Sequence, residues 1–331
     1  MKLMVRNIIC IVLILGIVQA GMYLIGRGDA DIYPQRVKNI RRVLAQKHDI
    51  IYMGDSALSF VSETDTNRRS IPEMVSDLLN GQSIGVIKED AFHLEIFSAI
   101  CESGVFNRAH PSMVIIPINL RSLSAVWHLA PPFQFVKEKI ILRYDNLFLR
   151  IFFKPLTVFR AINLNPIDQD EFNNTMVYYE GKKVGRVKEF ENRSINSNYS
   201  DSNMINKIGF FYMHDLSRAH PKIQAMARIA SVLKKKGITP VFYVMPIDYQ
   251  ICTQFAGEAF SDKINKNVQL IRSVLADEGT DLLDLSRSLP SEAFDWKFWL
   301  YPNEHLNEIG RSFTAKQIAQ RIISINSKKP H

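Results

Sequence analysis

Three residues of this 331-residue chain have the chemistry of acyl transfer: Ser56 and Asn119, each just beyond a short apolar run, and His305, near the C-terminus beyond the last such run. Ser56 closes the block Gly54-Asp55-Ser56 after His48-Asp49-Ile50-Ile51-Tyr52-Met53. Asn119 ends Ile115-Ile116-Pro117-Ile118-Asn119, and His305 sits in Asn303-Glu304-His305-Leu306-Asn307, shortly before Gly310. A serine hydroxyl attacks a carbonyl well only when a base takes its proton, and imidazole is the common base near neutral pH. An amide N–H can hold the oxyanion that forms on the attacked carbonyl. Each residue also has a plainer reading: Gly-Asp-Ser as a turn and helix cap, Asn119 as a cap on 120–127, His305 as a packed histidine. Their joint occurrence in this order along an alternation of strand and helix favours a hydrolytic or acyl-transfer site over three coincidences.

The elements that must position them follow from periodicity. Apolar runs of strand length cover 48–53, 83–87, 113–118, 240–245 and 281–285, each separated from the next by helix-like sequence. Such alternation predicts an α/β domain with a mainly parallel five-stranded sheet. In an open sheet of this kind ligands bind outside the carboxyl ends of the strands, where all three residues fall, as does Pro246-Ile247-Asp248 after the fourth run. Predicted helices cover 34–47, with Pro34 first, 216–236, closed by Lys234-Lys235-Lys236-Gly237, and 260–276, with Val268, Ile271 and Leu275 on one face. The lysine triplet reads as a solvated helix end rather than a phosphate patch.

Composition excludes several classes. The chain is 47% hydrophobic and 22% charged, with 41 Lys and Arg against 33 Asp and Glu, which is neither disordered nor collagenous. A net charge of +8 without interleaved aromatic and basic motifs does not point to nucleic acid. Cys101 and Cys252 stand in no metal or redox spacing, so no metal or cofactor is expected; they either pair in an oxidising compartment or stay as buried thiols. Ile8 to Ile25 is apolar but for Gln19 and long enough to cross a bilayer once, though Val18-Gln19-Ala20 also resembles a cleavage site. Arg27, Arg36, Lys38, Arg41 and Arg42 follow the span and, taken alone, would hold the large domain inside. The expected organisation is an anchor over 1–27, the α/β domain over 28–126 and 207–331, and an inserted cap or loop region over 127–206. In the insertion, 127–159 is rich in Phe and basic residues and reads as a bilayer-surface helix, a lid or core packing; 163–206 is polar, Asn-rich and expected as loop.

The residues Gly54-Asp55-Ser56-Ala57-Leu58-Ser59, Asn119 and His305-Leu306-Asn307-Glu308-Ile309-Gly310 resemble the SGNH (GDSL-type) hydrolase superfamily over about 40–126 and 207–325. With the anchor and Val241-Phe242-Tyr243-Val244-Met245-Pro246, the layout looks like members that modify cell-envelope polymers, as in alginate-type O-acetylation or teichoic acid D-alanylation. The resemblance implies a three-layer sandwich in which Ser56 is the nucleophile, His305 its base, and the Ser56 backbone N–H and Asn119 amide the oxyanion donors. It also implies an acylated polysaccharide or wall polymer as substrate and a membrane-bound O-acyltransferase as partner. The domain would then face outward from a bacterial cytoplasmic membrane.

Two positions depart from the family pattern. Where an Asp usually orients the histidine there is Asn303, with Glu304 the other orienting candidate. After the second strand Lys88-Glu89-Asp90 replaces the expected glycine, since Gly85 lies inside the strand. These departures motivate a rival reading, a non-catalytic scaffold in a polysaccharide-modifying complex. A third is an intracellular membrane-tethered lipase or thioesterase.

Overall fold

The computed structural model describes residues 2–25, 35–124, 127, 130, 133–143, 169–174, 176–179, 182–186, 188, 201–296 and 301–327. In chain order the elements that matter are α1 (Lys2–Ile25), α2 (Gln35–Ala45), β1 (Ile50–Gly54), α3 (Ile71–Leu78), β2 (Ile84–Lys88), α4 (Leu94–Glu102), α5 (Phe106–Ala109) and β3 (Met113–Ile118). There follow α6 (Val136–Arg143), α7 (Gln169–Asn174), the strands β4 (Met176–Tyr179) and β5 (Lys182–Arg186), and α8 (Asp201–Tyr212). The chain closes with α9 (Pro221–Lys235), β6 (Thr239–Val244), α10 (Tyr249–Asp277), β7 (Leu282–Asp284) and α11 (Glu308–Asn326).

Five strands form one parallel sheet in the order β2-β1-β3-β6-β7, so the chain winds outward from β1 both ways, as an α/β alternation dictates. Neighbouring residues on a strand face opposite sides. Ile51, Met53, Val114, Ile116, Phe242 and Val244 therefore pack with α2, α4, α9 and α10. Their alternates Ile50, Tyr52, Met113, Ile115, Val241 and Tyr243 pack with α3 and α11. The strands are apolar at nearly every position because both faces are covered. A separate antiparallel hairpin joins β4 and β5.

Several sequence expectations change. The helix expected from 216 begins at Pro221, because His220 takes the cap position and accepts from Lys222 N. The helix expected from 260 begins at Tyr249, with a break at Gly257 (φ 66°) that interrupts its apolar pattern. The lysine triplet is not simply solvated: Lys234 Nζ donates to Glu278 O at 2.7 Å and Lys236 Nζ to the Cys101 carbonyl. The 163–206 stretch, expected as loop, contains α7, the hairpin and the start of α8, which runs across the 206/207 boundary. Within 127–159 the described part packs inward, with Phe135, Ile141 and Leu142 in the main core; residues 144–159 lie outside the described set.

Residues 4–18 of α1 are all exposed, a run roughly 22 Å long at helical rise. Among the described residues no helix is long and apolar enough to cross a membrane. Cys101 and Cys252 are buried free thiols, and burial pushes Cys101 up to about 12.

Candidate active site

Ser56 leaves the sheet at the carboxyl end of β1. Glycine suits position 54, since a Cβ there would run into the Leu58 side chain and force it to shift. Asp55 then caps the 3-10 turn Ser56–Leu58, its Oδ1 accepting from Ala57 N at 3.0 Å. Ser56 is half-buried, as a nucleophile open to substrate would be. Asn119 occupies the same place after β3 and caps the turn Leu120–Leu123, Oδ1 accepting from Arg121 N at 3.0 Å. Lys222 fastens the chain beyond that cap, its buried ammonium donating to the Ser122 carbonyl and, at 2.7 Å, to Trp127 O. Burial lowers that ammonium to about 7.

His305 comes from the other side of the sheet's edge, on a loop pinned at both ends. Phe294 bridges Leu306, Asp295 N donates to His305 O at 2.9 Å, and Asn307 N to Ala293 O at 3.1 Å. The imidazole is nearly enclosed and meets the Phe60 ring edge-on, 4.9 Å between centroids. Arg311, itself fully buried on α11, holds this loop to the one after Ser56: it pairs with Asp65 at 2.6 Å and donates to Leu306 O, Asn67 O and Phe60 O.

Of the two candidates for orienting His305, the geometry selects one. Asn303 Oδ1 lies 2.6 Å from His305 Nδ1 and also accepts from His305 N at 3.0 Å. Glu304 points away from the ring. It ion-pairs with Arg121 and accepts from Asn119 Nδ2 at 2.8 Å through Oε1, while its Oε2 is buried with no hydrogen bond. Adjacent residues on an extended segment face opposite ways, which is why Glu304 cannot serve the imidazole beside it.

Asn119 is where the expected roles and the geometry part. Its amide nitrogen donates to Asp55 Oδ2 at 2.8 Å as well as to Glu304, so both N–H bonds are taken by carboxylates rather than left for an oxyanion. Two buried carboxylates thus share one amide, with Arg121 as the neighbouring cation. Burial foremost, then the Glu304 charge, pushes Asp55 up to about 6. Burial also raises Glu304, but Arg121 and its other partners outweigh it and hold that carboxyl below the usual range. When the pair holds a single proton, that proton sits on Asp55. His305 is lowered to about 4, chiefly by burial, against the opposing pull of Glu304. It is consequently a neutral base at physiological pH. Among the described residues no hydrogen bond joins Ser56 Oγ to His305, so the three expected residues share a rim without forming a closed relay.

No family model matches the chain, and no curated protein does. Among solved structures it is similar to the lipase/acylhydrolase from Enterococcus faecalis, at 10% identity and a TM-score of 0.36 over 82% of this chain and 94% of that one. It is also similar to an acetyl xylan esterase (Est2A) from the rumen bacterium Butyrivibrio proteoclasticus, at 10% identity and a TM-score of 0.35, covering 84% of this chain and 64% of that one. Likeness at this level is no guide to chemistry, which has to rest on the residues themselves.

Other contributors carried little signal in the sequence. Arg121, two residues past Asn119, reads as a surface arginine but is buried, donating to Glu304 and, at 2.6 Å, to Tyr301 Oη. Asp248, noted only for its place after β6, accepts from Trp296 Nε1 at 2.8 Å and Ser291 Oγ at 2.6 Å, tying the chain before the histidine loop to the cap of α10. The turn after β2 has its left-handed residue at Ala91 (φ 65°), an alanine where glycine would be unstrained. Gly85 cannot supply that role: it lies in β2, close against His48. Among the described residues no group of three His, Cys, Asp or Glu is placed to hold a metal ion. A groove of about 350 Å³ lined by Lys234, Thr239, Asp281 and Arg321 opens at the amino ends of β6 and β7, away from these residues.

Proposed function

We propose that this chain is an SGNH-type serine esterase or O-acyltransferase, acting through an acyl-serine on acyl groups of a cell-envelope or secreted polysaccharide. The observation that carries the reading is the imidazole of His305, held through Nδ1 by the Asn303 carbonyl on the rim where Ser56 emerges. In that tautomer Nε2 carries the lone pair that takes the Ser56 proton as Oγ adds to the acyl carbonyl. The proton then passes to the departing sugar oxygen, leaving the acyl group on Ser56. Water or a second sugar hydroxyl, deprotonated by the same nitrogen, releases the acyl group and restores the serine. The Ser56 backbone N–H and a released Asn119 amide would hold the oxyanion.

A serine-reactive fluorophosphonate tests this directly. The full chain in detergent is expected to label, and Ser56→Ala to abolish labelling at unchanged thermal stability. Labelling that persists in Ser56→Ala, or wild-type protein that never labels between pH 5 and 8, would leave the scaffold reading. That second reading has its own motive in the Asn119 amide, closed by two carboxylates.

The apolar side chains of α1, exposed from Met4 to Val18, favour contact of this segment with a membrane, and a single-pass anchor over 1–27 is the reading we adopt for it. An outward-facing domain and a membrane-bound acyltransferase partner complete the reading. A reporter enzyme fused at the C-terminus and active only outside the cytoplasm is the expected result; activity only inside returns the domain to the side that the flanking arginines favour.

A further inference from the structure

The basic residues that follow α1 belong to the folded domain. Between 32 and 48 the chain carries Arg36, Lys38, Arg41, Arg42 and Lys47 and no acidic residue. The first four lie on α2, whose Val37, Ile40 and Leu44 are buried in the main core. Apolar residues at that spacing take one side of a helix and leave the rest to solvent, so Lys38 and Arg42 stand exposed, followed by Lys47. Helices α5 and α6 both pack against α2 and add Arg108 and Arg143, exposed as well. Together the three helices hold eight Lys and Arg against one acidic residue, Glu138. That glutamate is buried and pairs with Arg36 at 3.4 Å. Asp49, the next acidic residue after α2, is turned to the backbone and accepts from Ser83 N at 3.0 Å.

Such a face works against the helix that carries it. Lys38 and Arg42 stand four residues apart, a spacing at which like charges destabilise a helix, and acidic residues among them would keep the surface as soluble. A negatively charged surface turns the repulsion into attraction. The chain itself brings one close: nine residues separate Ile25 of α1 from Gln35 of α2, a link that reaches no more than about 35 Å at full extension. A bilayer holding α1 therefore lies within that distance of α2.

We propose that Lys38, Arg42 and Lys47, with Arg108 of α5 and Arg143 of α6, form a basic face that docks on the anionic headgroups of the bilayer in which α1 is anchored, and so holds the domain against the membrane. The inference rests on the anchor reading of α1 and is independent of the acyl-serine. It gives the cations after the span a role that holds on whichever side of the membrane the domain lies.

Fluorescence quenching of the full chain in lipid nanodiscs tests the docking. A fluorophore is placed through Ala45→Cys, which is exposed on the same side of α2 as Lys38 and Arg42, in a Cys10→Ser background where Cys101 and Cys252 are buried. A reference fluorophore goes on Gln320→Cys, exposed on α11 at the opposite face of the sheet. With a headgroup-linked quencher, discs containing about one third phosphatidylglycerol are expected to quench position 45 about twofold more than pure phosphatidylcholine discs, and position 320 equally in both. Salt at about 1 M should return position 45 to its neutral-disc value. The combined variant Lys38→Gln, Arg42→Gln, Lys47→Gln should lose the difference while melting no lower than the parent, and Arg108→Gln with Arg143→Gln, two exposed sites on other helices, should reduce it. Equal quenching of position 45 in the two kinds of disc overturns the docking and leaves the face to a soluble acidic protein; a difference that survives in the combined variant overturns it too. Retention of the chain in the discs at about 1 M salt reports on α1 separately, since surface attraction is screened there. A chain that is released fails the anchor and the docking together, whereas one that is retained but shows no lipid dependence fails the docking alone.

Discussion

Asn303→Asp is expected to speed Ser56-dependent ester cleavage by about 10- to 100-fold, and Asn303→Ala to slow it by about 10³-fold. In serine proteases the change from Asp to Asn costs about 10⁴ because the amide presents N–H to Nδ1 and fixes the wrong tautomer. Here the amide is held the other way round. Its Oδ1 accepts from His305 N at 3.0 Å and faces Nδ1 at 2.6 Å, while its Nδ2 donates to Tyr301 O at 3.3 Å. A flipped amide would set its N–H₂ against the His305 backbone N–H and its oxygen against the Tyr301 carbonyl, so Oδ1 stays where Nδ1 must donate to it. The tautomer is therefore already correct, and what the site lacks is only the negative charge that steadies an imidazolium. Aspartate adds that charge and lifts His305 from about 4 toward the range of a useful base. The cost is a third carboxylate near Glu304 and Asp55, so the melting temperature of Asn303→Asp should fall. Alanine loses both the orientation and the tautomer. Initial rates on an activated acetyl ester across pH 4 to 9 decide the matter: an aspartate variant no faster than wild type at any pH would remove His305 from the role of base.

The fold was legible because burial on both faces leaves a plain mark. The runs 50–53, 113–118 and 240–245 are apolar at successive positions; the strand Met113–Ile118 matches the expected run, and Ile50–Gly54 and Thr239–Val244 differ from 48–53 and 240–245 by one or two residues at their ends. Helix α8 was missed because its polar residues outnumber its stripe of Met204, Ile208 and Tyr212, and because Lys207 lies buried on the same side, breaking the apolar pattern. The strand ends named Ser56 and Asn119 but not their state. That Asn119 is claimed by residues 55 and 304 depends on how three loops close over one rim, which no spacing along the chain encodes. The same holds for Arg121: a charged residue is buried only where a partner waits, and its partner is 183 residues away.

The claimed amide predicts an unusual pH profile, with maximal rate between about pH 4 and pH 6 and a fall of up to about 10²-fold from pH 5 to pH 8. Below about 4 His305 is protonated and the rate drops tenfold per unit, the ordinary acid limb. The alkaline limb is the distinctive one. When Asp55 ionises near 6 it becomes a strong acceptor and holds one N–H of Asn119, while Glu304, kept ionised by Arg121, holds the other. When Asp55 is neutral, that N–H is bound weakly and an oxyanion can take it, restoring a donor worth about 3 kcal/mol. Stability must follow the same proton. Folding raises Asp55 from 3.8 to about 6, so between those values the folded chain holds a proton that the unfolded chain has lost. The Asp55 contribution to stability therefore falls as pH rises through that window, by about 3 kcal/mol in all, while His305, lowered from 6.5 to about 4, contributes with the opposite sign over nearly the same window, so the two largely offset in the wild type. Asp55→Asn removes the titration: its melting temperature should keep only the His305 contribution and rise with pH from about 4 to about 6.5, and its rate at pH 8 should exceed that of the wild type by at least tenfold. A wild-type rate that is flat from pH 5 to pH 8, or an alkaline limb that survives in Asp55→Asn, would mean that Asn119 is a structural tie between the two carboxylates and never an oxyanion donor.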